Sequence, residues 1–309
     1  MYDVIIIGAG PAGLTAGIYA GRFRLKTLIL EKMMPGGQII LSGTIENFPG
    51  FPGGIGTGEL MERFKKQVDE LGVAIETAEV REISFDRSLA AAVYRLVTDD
   101  GIYEAKSIVI ASGAQAKRLG LEKEAAFTGR GVSYCATCDG PFYKGKEVVV
   151  VGGGDKAVEE ALFLTRYCRK VFLVHRRQQL RASKILIEHA QANPKIQFIL
   201  ESVVEGLVGD ALIKAVKIRN LNTNAVSEVP CSGIFIFVGI IPNTDFIKNY
   251  LQVDALGFII TQPEMQTSQP GIFACGDCRS KSLYQVINAC GDAAVAANAA
   301  HKYLMEQRS

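Results

Sequence analysis

Val4-Ile5-Ile6-Ile7-Gly8-Ala9-Gly10-Pro11-Ala12-Gly13-Leu14 stands almost at the start of the chain. A β-branched run comes first, then Gly-x-Gly-x-x-Gly, then an amphipathic stretch from Leu14 to Arg22. Thr27-Leu28-Ile29-Leu30 follows as a second strand and ends in Glu31. Strand, glycine turn, helix and strand in that order predict a βαβ unit of the dinucleotide-binding kind. Gly8 permits the tight turn, Gly10 lets the backbone approach a pyrophosphate, and Gly13 lets the helix pack on the strand. The helix N-terminus then points unpaired N–H groups at the phosphates. Glu31, 18 residues after Gly13, is placed to accept hydrogen bonds from a ribose diol.

The same pattern returns at Glu147-Val148-Val149-Val150-Val151-Gly152-Gly153-Gly154-Asp155-Lys156-Ala157. It reads Gly-x-Gly-x-x-Ala, with a helical stretch Val158–Cys168 and a strand Val171–Val174 behind it. This strand runs into His175-Arg176-Arg177, and Arg181 follows four residues later. A carboxylate at that place favours a free 2′-hydroxyl. A cluster of guanidinium groups favours a 2′-phosphate, because Arg offers planar bidentate donors to a dianion. The first site therefore reads as FAD and the second as NADPH. A lone Gly-x-Gly-x-x-Gly is weak, since it also describes a plain glycine turn. Two copies, each in a strand–helix–strand setting and each with its own ribose-reading end, are far more specific.

A third element sets the layout. Near the C-terminus stands Gly271-Ile272-Phe273-Ala274-Cys275-Gly276-Asp277, a short strand and a Gly-Asp, followed by a helix-like run Leu283–Tyr303. By analogy with two-dinucleotide flavoproteins, this Gly-Asp returns to the flavin. Ile108–Gly113 and Ile234–Gly239 are apolar runs ending in glycine, suited to the strands before two domain crossings, and Pro242 marks the second exit. The expected fold is α/β, with two Rossmann-like dinucleotide-binding domains of the three-layer ββα type. Residues 1–114 and 243–309 form the FAD domain, and 115–242 form an inserted NADPH and redox-disulfide domain.

Seven cysteines stand at 135, 138, 168, 231, 275, 278 and 290. An odd number in a chain of cytoplasmic character is no disulfide framework. The two Cys-x-x-Cys pairs have 136 residues between them, and only three histidines are present. Zinc ribbons use spacings of roughly 15–20, so no structural metal is expected. Cys135-Ala136-Thr137-Cys138-Asp139 is the chemical centre. At the start of a helix, Cys-x-x-Cys brings two sulfurs within disulfide reach and lowers the pKa of one thiol. Asp139 is placed as acid or base for the departing thiolate. Disulfide and nicotinamide then ride on one domain and the flavin on the other, so the inserted domain is expected to swivel. Cys275 and Cys278 bracket the Gly-Asp, and with Cys168, Cys231 and Cys290 they read as core.

The 309 residues exceed what one core usually covers, and 48% hydrophobic with 21% charged residues is ordinary for a globular protein. The net charge of +2 gives no electrostatic reason to expect nucleic acid or an anionic membrane. No apolar run reaches the roughly 18 residues of a membrane span, and no basic n-region precedes Val4, so a cytoplasmic protein is expected.

Together these segments resemble the low-molecular-weight thioredoxin reductases of bacteria, within the class II pyridine nucleotide-disulfide oxidoreductases. The likeness spans essentially the whole chain. It includes Gly36-Gly37-Gln38, Glu46-Asn47-Phe48-Pro49-Gly50, Arg181-Ala182 and Gln285, and Cys-Ala-Thr-Cys-Asp-Gly alone is close to diagnostic. It implies a homodimer, with Gly37, Gln38, Asn47 and Gln285 on FAD, and with Cys138 nearer the flavin and Asp139 as acid/base. The expected FAD set is Gly8, Gly10, Pro11, Ala12, Gly13, Glu31, Lys32, Gly37, Gln38, Asn47, Gly113, Gly276, Asp277, Gln285 and Val286. The expected NADPH set is Gly152, Gly154, Asp155, Lys156, Ala157, His175, Arg176, Arg177 and Arg181; Cys135, Cys138 and Asp139 are catalytic. Two positions depart from the pattern. Lys156 stands where Ser is usual; it opposes the helix dipole but can pair with phosphates. Tyr284 stands where Arg or Lys usually precedes the Gln.

The expected activity passes electrons from NADPH to FAD, to the Cys135–Cys138 disulfide, and on to thioredoxin or a thioredoxin-like partner. A dithiol oxidase of similar fold has little use for the His175–Arg181 cluster. The flavoprotein subunit of a peroxide-reducing system carries an extra N-terminal thioredoxin-like domain, whereas here the expected FAD motif begins at residue 4. A redox-sensing nucleotide-binding module would oxidise no NADPH with any disulfide.

Overall fold

The computed structural model describes residues 1–41, 44–45, 47–86 and 93–307, so Glu46 lies outside them; Leu41, Phe85, Asp86, Thr137 and Cys138 are described in backbone only. Two compact units divide the chain: Met1–Gln115 with Ile241–Ser309, and Ala116–Ile240. The short strands Ala114–Ala116 and Ile240–Pro242 at the two crossings pair with each other.

In the first unit, five parallel segments lie in the order Ala74–Thr77, Thr27–Glu31, Tyr2–Ile7, the end of Ile102–Ile110, and Ile272–Ala274. The strand Ile102–Ile110 divides one edge between two neighbours. Its first half pairs antiparallel with Val93–Thr98, and residues 108–110 pair parallel with Ile272–Ala274. Both faces of this sheet are covered, which explains the unbroken β-branched runs. Val4 and Ile6 share a core with the helices Pro11–Arg22, Thr57–Glu70 and Val286–Glu306. Ile5 and Ile7 face the other way, into a core with Val80, Ile83, Leu96, Ile247 and Leu251.

The second unit repeats the plan. Its parallel sheet runs Ile196–Ile199, Lys170–Val174, Glu147–Gly152, Gly233–Phe237, Val132–Ser133. Val148 and Val150 pack with Val158, Ala161 and Leu164 of the helix Asp155–Leu164. Val149 and Val151 pack with Val204, Val216 and Ile218 of an antiparallel sheet, Ser202–Gly209, Ile213–Asn220 and Val226–Pro230. Helices, parallel sheet and antiparallel sheet make the three layers, and the doubled α/β class expected from the sequence is what is found. Element ends differ. The helix after the second glycine turn spans Asp155–Leu164 rather than ending at Cys168, because Thr165 closes it, with its hydroxyl donating to Leu162 O at 2.6 Å. The last helix starts at Val286 because Gln285 is still extended.

The fifth strand differs in origin. In the second unit Val132–Ser133 precedes the glycine turn; in the first, Ile272–Ala274 comes from the far end of the chain. Topologically, then, Cys135–Asp139 and Cys275–Cys278 occupy equivalent places, each just past its unit's fifth strand.

Candidate active site

The first glycine turn is built as its residues demand. Gly8 has φ +101°, which costs glycine nothing and other residues strain. A Cβ on Gly13 would stand 1.7 Å from the Gly8 carbonyl oxygen, so turn and helix meet through bare backbone. The helix opens at Gly10 with no capping side chain, leaving its first amides without helical partners. Glu31 clamps the turn from the next strand. Its Oε2 accepts from Ala9 N at 2.7 Å and its Oε1 from Met33 N at 3.1 Å. The Lys32 ammonium pairs with Glu79 at 2.6 Å.

Residues distant in sequence converge on this turn. A Cβ on Gly37, at the head of the 3₁₀ turn that carries Gln38, would stand 2.9 Å from Gly10 Cα. A Cβ on Gly276 would stand 2.8 Å from Ala12 Cβ, which puts the Gly-Asp over the start of the first helix. Asn47 Nδ2 donates to Gln285 Oε1 at 3.1 Å across 238 positions. Gln285 precedes Val286, where a second helix opens without a capping side chain. Gly113 O accepts from Asn243 N at 3.0 Å. Nothing in sequence reasoning finds the ion pairs behind Asp277. Lys281 Nζ lies 3.1 Å from Asp277 Oδ1 and 3.2 Å from Asp292 Oδ2, and Arg279 donates to Asp292 Oδ1 at 3.1 Å. The alternation Asp277-x-Arg279-x-Lys281 is the available signal; only the fold brings Asp292.

In the second unit a Cβ on Gly152 would stand 2.4 Å from Phe237 O, and one on Gly153 would stand 2.3 Å from the His175 ring. A Cβ on Gly154 would meet no described atom within 4 Å. Arg181 N donates to Gly153 O at 2.6 Å, and Ser183 N to Asp155 Oδ1 at 2.6 Å. Two bonds therefore strap the arginine-bearing segment to the glycine turn. Arg176, Arg177 and Arg181 are exposed, whereas His175 is buried under the turn. Burial, then the Arg181 charge, with smaller parts from Arg176 and Arg177, hold the His175 pKa below its ordinary value, against a backbone hydrogen bond with Gln179 that raises it. Lys156 forms an ion pair with Glu160 one turn along its own helix. Glu160 is buried, and its Oε2 has no hydrogen-bond partner among the described residues.

Cys135 is disulfide-bonded, and Cys168, Cys231, Cys275, Cys278 and Cys290 are free thiols. The side chain of Cys138 lies outside the described residues. Cys135 N donates to Ser133 Oγ, and the Ser133 hydroxyl to Cys135 O, each at 3.1 Å. The turn Ala136–Asp139 closes with Asp139 N donating to Cys135 O at 3.2 Å. Ala136 is fully buried in the core with Val158, Ala161 and Leu164, and a Cβ on Gly140 would stand 3.2 Å from the Leu164 side chain. The motif thus rests on the helix that starts at the second glycine turn. Sequence reasoning also misses Glu124. It accepts from the Tyr134 hydroxyl, next to Cys135, and from Leu119 N and Leu121 N at 3.0 Å each. Cys275 and Cys278 are fully buried. Burial raises the Cys278 thiol to about 11 and Cys275 well above its ordinary range, which leaves both as unreactive core thiols.

The model of the pyridine nucleotide-disulphide oxidoreductase family matches residues 2–293. A thioredoxin reductase of Listeria monocytogenes is 43% identical over 308 residues, covering 99% of this chain and 95% of that one. One of Treponema pallidum is 43% identical over 303 residues, covering 98% and 97%. The crystal structure of Lactococcus lactis thioredoxin reductase superposes with a TM-score of 0.94 at 42% identity, covering 99% of this chain and all of that one. The chain belongs to the pyridine nucleotide-disulphide oxidoreductase family, and within it to the thioredoxin reductases.

Proposed function

We propose that this chain is an NADPH-dependent flavoprotein that reduces the disulfide of thioredoxin. One observation carries the proposal: a disulfide-bonded Cys135 rests on the same helix that opens the Arg-strapped glycine turn. The full-length kinship with thioredoxin reductases supports it.

The residues fit the two cofactors. The uncapped helix at Gly10, the bare-backbone contacts of Gly8, Gly13, Gly37 and Gly276, and the Glu31 carboxylate suit the pyrophosphate and ribose of FAD. Pro11, Ala12, Lys32, Gln38, Asn47, Gly113, Asp277, Gln285 and Val286 complete the proposed FAD set. Gly152, Gly154, Asp155, Lys156 and Ala157 would hold the pyrophosphate of NADPH. The exposed Arg176, Arg177 and Arg181 would take its 2′-phosphate, with His175 supporting the turn from below. When bound, the two cofactors supply the hydride chemistry that reduces the Cys135–Cys138 disulfide.

The chain's own chemistry is thiol–disulfide exchange. Cys135 thiolate attacks one sulfur of the partner disulfide, forms a mixed disulfide and releases one partner thiolate. Cys138 thiolate then attacks Cys135 Sγ, restoring the Cys135–Cys138 bond and releasing the second. Asp139 carries protons to and from these sulfurs. The proposed setting is a cytoplasmic homodimer. The five free thiols among the described residues suit a reducing compartment, and no helix among the described residues is long and apolar enough to cross a membrane. Anaerobic titration of the holoenzyme with NADPH and then NADH, followed by turnover with thioredoxin, tests the reading. Flavin bleaching by NADPH with thioredoxin reduction is expected. Bleaching without reduction of any disulfide would overturn it.

A further inference from the structure

The Asp277 carboxylate is divided between two environments. Its Oδ1 is buried and meets Lys281 Nζ at 3.1 Å as an ion pair without hydrogen-bond geometry, while the side chain as a whole stays 39% exposed. The Lys281 side chain is itself only 5% exposed, an unusual place for an ammonium. It is held there by Asp292, also 5% exposed, at 3.2 Å, and by the ring of Tyr284 with 5.5 Å to its centroid. Asp292 in turn takes Arg279 at 3.1 Å, and Arg279 Nε donates to Thr261 Oγ1 at 2.9 Å. Two cations and two carboxylates make a chain with no net charge, the condition under which buried ions are tolerated.

The placement joins two parts of the proposed FAD site. Asp277 follows Gly276 on the start of the first helix, and Asp292 sits in the helix that opens at Val286. Lys281 is the only group that touches both carboxylates among the described ion pairs.

We propose that Lys281 is a positioning residue for the flavin. Its buried ammonium holds the inner oxygen of Asp277, so that the outer oxygen is presented as an acceptor to the hydroxyl-bearing part of FAD. This rests on the reading of Asp277 as a flavin contact. Asp292 and Arg279 fix the ammonium, and Tyr284 closes over it.

The test uses the holoenzyme. FAD retention against increasing chaotrope, the flavin absorbance spectrum and thermal unfolding are measured for Asp277→Asn, Lys281→Met, Lys281→Arg and the pair Lys281→Met with Asp292→Asn. Lys281→Met should weaken FAD binding about tenfold and alter the flavin spectrum, and Lys281→Arg should restore both. The double variant is again neutral, so it should regain thermal stability and still hold FAD weakly. Recovery of FAD affinity in the double variant would reduce Lys281 to charge balance and overturn the proposal, as would normal FAD affinity and spectrum in Lys281→Met while Asp277→Asn is impaired. Unchanged FAD affinity in Asp277→Asn would instead overturn the reading of Asp277 itself.

Discussion

The main-chain N–H of Arg181 donates to the carbonyl of Gly153 at 2.6 Å. The bond uses no side-chain atom, so it survives substitution of the arginine. Replacing Arg176 and Arg181 by Ala therefore removes charge and leaves the strap in place. Each charge-assisted contact is worth roughly 1.5–3 kcal/mol, and 1.4 kcal/mol is about a factor of ten. KM for NADPH should rise at least about tenfold, while KM for NADH stays nearly constant. Unchanged KM values with both cofactors would show the arginines to be a solvated face.

Lys156 gives a contrasting case. Its substitution by Ser removes the ion pair of buried Glu160, so thermal stability should fall by about 1–2 kcal/mol; the exposure of Lys156 keeps this below the cost of breaking a fully buried pair. Adding Glu160→Gln should recover most of that loss. The turn it occupies is proposed to hold the pyrophosphate that NADPH and NADH share, so both KM values should move by one factor. An effect on NADPH alone would make Lys156 a reader of the 2′-phosphate.

Glu31 both clamps the turn and faces the proposed ribose. Glu31→Ala leaves the Ala9 amide without its acceptor and should lower the FAD content of protein passed through a desalting column. Full FAD content would remove Glu31 from the ribose site.

Cys138→Ser should separate two half-reactions. Stopped-flow mixing with NADPH should still bleach the flavin, because that step uses no thiol, whereas thioredoxin reduction should be lost. Normal turnover with thioredoxin would contradict the exchange mechanism.

His175 sets an acid limit on the second unit. Its folded pKa lies below the ordinary 6.5, mainly through burial. On acidification the unfolded chain takes the proton first. The stability is whole above about 6.5 and is lost as pH falls through the depressed value. His175→Asn should flatten the fall in Tm between about pH 7 and pH 5. An unchanged slope would assign the acid sensitivity to other groups.

Much of this architecture is legible in the sequence, and the reasons are local. Gly8, Gly13 and Gly152 stand where no Cβ fits, and a backbone need of that kind leaves a mark at fixed spacing. Both parallel sheets announce themselves through Val4–Ile7 and Val148–Val151, whose unbroken apolar runs reflect burial on two faces. Position beside a motif is less informative. His175 adjoins two arginines, yet it turns inward, because the last strand residues alternate sides and Gly153 leaves a space its ring fills. The partner of Lys156 is written four residues on, but spacing does not tell a helix-bound cation from one that reaches a phosphate. The Asn47–Gln285 bond and the ion pairs of Asp292 have no local signature at all, since the chain travels far between their members.

The shared edge of the strand Ile102–Ile110 also has a history in time. Its residues 108–110 wait for Ile272–Ala274, which follow only after the whole of Ala116–Ile240 has been made. Domains generally fold as units while the chain emerges from the ribosome. A nascent chain whose first 250 residues have left the ribosome therefore carries its inserted unit complete and its first sheet open along an apolar edge, the kind of surface that recruits another strand. The piece begun earliest is closed latest, and through the interval between them an apolar sheet edge stands without its partner strand.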